Sequence, residues 1–145
     1  MSAEKIQEDI EKFGWHFLHV FDPNGVKNVF SYSIGFEESF NQPEILIFGL
    51  GKDVAHEILT DVADDLRNGL KLAVDKRMRG LISGDFDVMF KSVQQKAFSE
   101  YLGTAVDYYN KPFRAWVMFW PDKSNILPLE DGCAVSIQDE ALTII

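Results

Sequence analysis

Tyr32-Ser33-Ile34-Gly35-Phe36, followed by Pro43-Glu44-Ile45-Leu46-Ile47-Phe48-Gly49-Leu50, is the stretch on which the fold turns. A strand ends at a glycine, a polar loop over 37–43 follows, and a second strand ends at another glycine. Ile45 to Phe48 shows no polar alternation, which predicts a central strand covered on both faces. Glu44 stands at the mouth of that strand, where a charge is costly unless it is paired or solvated.

Upstream, Ile6, Ile10 and Phe13 recur at helical spacing, so residues 2–13 read as a helix with Ser2 as its N-cap and Gly14 as its stop. Trp15 to Phe21 alternates as a strand of either facing. Asp22-Pro23-Asn24-Gly25 is turn chemistry that leads into a second strand from about Lys27 to Ile34, completing a hairpin.

Downstream, residues 53–67 form an amphipathic helix with Val54, Ile58, Leu59, Val62, Ala63 and Leu66 inward, stopped by Asn68-Gly69. Residues 70–84 read as a short strand and a loop that carries the basic cluster Lys76-Arg77-Met78-Arg79. Phe86, Val88 and Phe90 mark a half-buried strand, and Ser92 with Gln95 has capping-box spacing for a helix over 93–109. An apolar strand over 113–120 follows, and 134–137 and 143–145 read as edge strands. The pattern is α+β: a mostly antiparallel sheet partly covered by about three helices, in a single domain spanning 1–145.

The chain has 145 residues, 46% of them hydrophobic, with twelve Phe, enough apolar side chain for one well-buried core. Its net charge of -9 repels phosphates and anionic lipid, which argues against nucleic acid and membrane-surface partners. A lone Cys133 cannot form an intrachain disulfide, and Glu4, Glu8, Asp9 and Glu11 interrupt any signal-peptide core. No segment is apolar for the ~20 residues that span a bilayer. The expected compartment is the cytoplasm.

His16 and His19 are an odd number of positions apart on a strand, so they face opposite ways and cannot share one ion; no metal site and no cofactor is expected. Gly49-x-Gly51-Lys52 between strand and helix invites a phosphate reading. The Walker pattern fails at Leu46 and Asp53, and Asp53 is better read as a helix cap. Cys133 lacks a neighbouring base, and Glu130 and Asp131 oppose thiolate formation. Glu44 reads either as a structural group, through a backbone cap or an ion pair with Arg67, Arg77 or Arg79, or as a ligand-facing acid. Asp122, after Trp120-Pro121, is similar, since Asp caps turns that follow strands. Trp15, Tyr32, Trp116 and Trp120 serve either the core or a recognition surface. The candidate binding set is Tyr32, Gly35, Glu44, Trp120 and Asp122.

The aromatic-Ser-Ile-Gly word at Tyr32–Gly35, Pro43-Glu44, Gly49-Leu50, Trp120-Pro121-Asp122 and Pro128-Leu129-Glu130 together resemble the bacterial family named domain of unknown function 4262, over about residues 14–130. The resemblance implies a relative and no activity. Members of that family carry His before Pro-Glu, Gln shortly before Trp-Pro-Asp, and Trp within the later Pro-x-Glu, where this chain has Gln42, Met118 and Leu129. A shared site at those positions would be altered here. The order of elements is also similar to suppressor-of-fused-like domains found among bacterial immunity proteins.

The leading expectation is a non-catalytic, immunity-like binding module whose acidic surface engages a basic protein partner. The rival is a small enzyme or ligand-binding domain with a pocket near Gly35, Glu44 and Asp122, in which Glu44 or Asp122 is the acid or base. A homodimer through an exposed sheet edge is compatible with either.

Overall fold

The predicted hairpin forms: β1 (His16–Val20) pairs antiparallel with β2 (Phe30–Ile34), His16 opposite Ile34 and Val20 opposite Phe30. The computed structural model describes residues 3–25 and 29–145, so Ser2 and Lys27, proposed above as a cap and a strand start, lie outside the described residues. Ahead of β1, helix α1 (Ala3–Phe13) buries Ile6 and Ile10, and Gly14 ends it at positive φ.

β2 also pairs antiparallel with β3 (Glu44–Phe48), a strand buried at every position, as its unbroken apolar run requires. Residues 37–43 are not the loop expected of them, because Phe36–Phe40 turns into a short helix, α2. Five residues are too few to show a period, and its first amides are held by a side chain outside it, described below.

β3 is followed by α3 (Lys52–Arg67), which buries Ala55, Leu59, Val62, Ala63 and Leu66. Val54, expected inward, is exposed, and Ala55 takes its place on the buried stripe. The helix is capped at Gly51 rather than by Asp53. β4 (Arg77–Arg79) and β5 (Asp87–Ser92) pair antiparallel. β5 departs from strict alternation, since Asp87 is buried along with Val88 and Phe90.

The helix expected over 93–109 is three pieces: a 3-10 turn at Gln95–Ala97, α4 (Phe98–Tyr101) and α5 (Gly103–Tyr109). The Ser92 capping box does not form. The Val93 amide instead donates to Ala115 O at 2.9 Å, and the chain enters the turn at Gln94 with no side-chain cap.

β6 (Ala115–Phe119) then runs antiparallel to β5 and parallel to β3. The sheet order is β1-β2-β3-β6-β5-β4, with β3–β6 the one parallel pairing among the described strands. Neither expected edge strand forms in the last segment, where residues 139–142 are α6 (Asp139–Leu142). The side chain of Gln138 replaces strand pairing there. Its Oε1 accepts the Trp120 amide at 3.1 Å and its Nε2 donates to Trp120 O at 2.8 Å.

Helices cover both faces. On one, α1, α4, α5 and α6 pack with Phe30, Tyr32, Leu46, Phe48, Val117 and Phe119. On the other, α3 packs with Ile45, Ile47, Val88, Phe90 and Met118. No helix among the described residues is long and apolar enough to cross a membrane.

Candidate functional site

Glu44 is fully buried and accepts five hydrogen bonds. Ser33 Oγ donates to Oε1 at 2.8 Å, and the amides of Gly35, Phe36 and Glu37 donate at 3.0, 3.0 and 3.1 Å. The fifth donor is the Tyr109 hydroxyl, reaching in from α5. Ser33 Oγ also accepts the Ile45 amide at 3.0 Å. The carboxylate thus caps α2 from outside that helix and ties it to β2, β3 and α5.

Burial pushes the Glu44 pKa up to about 7, against the opposing pull of Tyr109, the Glu37 and Gly35 amides and Ser33. The same desolvation and the adjacent carboxylate push the Tyr109 phenol well above its ordinary value. No arginine takes part. Arg67 bonds Asp64 and Phe13 O, while Arg77 and Arg79 both bond Asp87, so the ion-pair reading is replaced by the backbone cap.

Gly35 belongs to this network by conformation as well. Its φ is +123°, and a Cβ there would lie 2.8 Å from Gly14 O and 2.9 Å from Trp15 Cα. Only glycine fits.

Asp122 is elsewhere. Glu44 sits opposite Ala115 in the parallel pair, so Asp122, beyond the far end of β6, lies roughly 20 Å along the strand direction from it. The pocket expected to join Gly35, Glu44 and Asp122 therefore does not form. Asp122 is buried and accepts the amides of Ser124, Ile126 and Ala134 at 2.9, 2.9 and 2.8 Å, bonds that hold its pKa below the usual carboxylate range. It organises the loop after β6. Beside it, Trp120 Nε1 donates to Phe48 O at 2.8 Å, locking the C-terminal ends of β6 and β3 together. Trp120, Pro121 and Asp122 border an apolar groove of about 280 Å³ with Leu50, Val54 and Phe86.

Two histidine pairs went unread in the sequence. His19 Nδ1 lies 2.7 Å from Ser31 Oγ, the spacing of a base and a nucleophile, with burial and Lys52 lowering the His19 pKa. Ser31 is fully buried, however, so no substrate carbonyl reaches its hydroxyl. His16 Nδ1 lies 2.7 Å from Asp9, and its buried Nε2 has no partner. No group of three or more potential metal ligands occurs among the described residues.

Tyr32 is the candidate that leads to an opening. Its ring borders a cleft of about 550 Å³ between the β1–β2 hairpin, α4–α5 and α6. Leu18, Val20, Phe30 and Tyr101 form an apolar and aromatic floor, and the carboxylates of Asp22, Glu100 and Glu140 stand around it. Tyr101 donates to Glu140 at 2.7 Å, and desolvation together with that carboxylate raises the Tyr101 pKa. Glu100, Tyr101 and Glu140 are brought together by α6, which lies between the edge strands expected over 134–137 and 143–145. Of the other family positions, Gln42 accepts the Leu72 amide at 3.0 Å, Met118 is buried, and Leu129 packs against the core.

The chain belongs to the family described as domain of unknown function (DUF4262), whose sequence model matches residues 9–134. No curated protein and no solved structure matches it.

Proposed function

We propose that this chain is a non-catalytic binding module that holds a basic segment of another protein in the cleft bordered by Tyr32, Tyr101, Glu100 and Glu140. The observation that carries the reading is the combination of an aromatic floor with a carboxylate border. An arginine or lysine side chain lays its stem on aromatic faces and places its charge among carboxylates. A net charge of -9 adds long-range attraction for such a partner.

Catalysis is disfavoured by how fully the promising acids are used within the fold. Glu44 accepts five donors and Asp122 three, and neither borders this cleft.

A fluorescein-labelled polyarginine peptide titrated by anisotropy tests the reading. Affinity is expected to fall roughly tenfold between about 50 and about 300 mM salt. The double substitution Glu100→Gln with Glu140→Gln should weaken it by a further factor of roughly five. Glu57→Gln with Asp61→Asn, exposed on α3 over the opposite face, removes the same charge and should leave affinity within about twofold. Equal loss in both variants would reduce the effect to net charge and remove the cleft from the proposal.

A further inference from the structure

β3 and β6 run parallel, and the chain leaves their C-terminal ends toward opposite faces of the sheet, from β3 into α3 on one face and from β6 through the last segment to α6 on the other. Connections that diverge in this way open a crevice outside the carboxyl ends of parallel strands, and ligands lodge in such crevices. The apolar groove of about 280 Å³ lies at that point. Leu50 reaches it from the exit of β3, Val54 and Ile58 from α3, Phe86 from the connection between β4 and β5, and Trp120 from the exit of β6.

Trp120 is a fixed wall of this groove. Its Nε1 donates to Phe48 O, and its amide and carbonyl are both held by the Gln138 side chain, so the aromatic surface is in place before anything binds. Val54 lines the groove and is 51% exposed, apolar surface left open to water. Charge on the lining comes from two consecutive residues. Asp122 directs its carboxylate to the amides of Ser124, Ile126 and Ala134 and is used within its own loop. Lys123 is exposed, and among the described residues its ammonium has no ion pair and no hydrogen bond.

We infer that this groove is a binding site for a small apolar carboxylate, a fused ring or short acyl chain whose body lies between Val54, Phe86 and Trp120 and whose carboxylate pairs with Lys123. The size of the groove sets the first limit, since about 280 Å³ is below the range that encloses a drug-sized ligand and excludes a nucleotide. Its chemistry sets the second. The lining is apolar apart from one free cation, so an apolar body with a single negative charge complements it, whereas an amine would meet Lys123 and find the Asp122 carboxylate already engaged. A lone ammonium is a point charge that suits a carboxylate, and a phosphate would need more donors than the lining offers. The inference stands apart from the proposed partner cleft, where Glu100 and Glu140 repel an anion.

Amide NMR on the full chain, titrated with naphthylacetate to about 10 mM, tests it. Saturable shifts are expected at Leu50, Val54, Phe86 and the Trp120 indole N–H, with a dissociation constant below about 1 mM. The neutral isostere naphthylacetamide should bind roughly fivefold more weakly, the difference that one exposed ion pair supplies. Lys123→Gln should abolish that difference between acid and amide while leaving the amide's affinity unchanged. Val54→Asp, at an exposed position, should weaken both ligands at least roughly tenfold with the melting temperature unchanged. Glu100→Gln with Glu140→Gln should leave both affinities as they are. No saturable shift at the groove, equal affinity for acid and amide in the wild type, or shifts centred on the Tyr101 cleft would each overturn the inference. So would shifts of the groove signals with protein concentration alone, which would assign the groove to a second copy of the chain.

Discussion

Glu44→Ala is expected to lower the unfolding free energy by about 4 kcal/mol, because it strands buried donors rather than removing one contact. Three amides, the Ser33 hydroxyl and the Tyr109 hydroxyl all lose their acceptor inside a dry core. Urea denaturation gives the number directly. The same residue also sets a pH dependence. In the folded chain its pKa is pushed up to about 7 from the ordinary 4.5, so the folded state holds this proton more tightly than the unfolded state does. The stability due to that proton is complete below about pH 4.5 and is lost as pH rises through 7, a change of about 3 kcal/mol. Wild type minus Glu44→Gln, measured across that window, isolates it from the other carboxylates, several of which shift the opposite way. A difference that stays flat with pH would show that Glu44 is ionised in both states.

Gly35→Ala should prevent folding at ordinary temperature. The φ of +123° already penalises any side chain, and the new methyl would lie within 3 Å of two backbone atoms, Gly14 O and Trp15 Cα, neither of which can rotate away. Strain and overlap together exceed about 4 kcal/mol, a large share of the 5–15 kcal/mol that holds an ordinary domain. Loss of the near-ultraviolet aromatic signal and of a cooperative melt are the readouts. Melting within about 5 °C of wild type would mean that the close approach yields.

Much of this was written in local pattern. The unbroken apolar run Ile45–Phe48 identified a doubly covered strand, and the turn at Asp22–Gly25 identified the hairpin. The stripe from Leu59 to Leu66 identified α3. What stayed hidden was decided by distant residues. α2 is a single short turn stabilised by a carboxylate that follows it in the chain, so no window centred on Phe36–Phe40 contains its cause. Gln138 acts as a substitute strand toward Trp120 across 18 positions, and the expected edge strands over 134–137 and 143–145 give way to it and to α6.

Among the candidate site residues, the sequence singled out Gly35 and Glu44 and could not show the network that joins them. Charge at the mouth of a buried strand signals a constraint, and the identity of its donors is a tertiary fact. Trp120 and Asp122 drew notice for the same reason, and they serve the opposite end of the sheet. Reading β3 and β6 as antiparallel neighbours would have brought the two ends together; their parallel pairing holds them apart.

That parallel seam also shapes how the chain assembles. β1, β2 and β3 lie between residues 16 and 48 and pair only with one another until β6 arrives, and β4, β5 and β6 lie between residues 77 and 119 with the same self-sufficiency. Within each trio the longest connection is the helical one over residues 93–114, whereas Glu44 and Ala115 meet across about seventy residues of chain, the costlier closure in entropy. Two half-sheets forming early and joining late is the kinetic order this topology favours. Its rate-limiting event is the meeting of β3 with β6, and until then the apolar length of β3 is the surface most exposed to a wrong encounter.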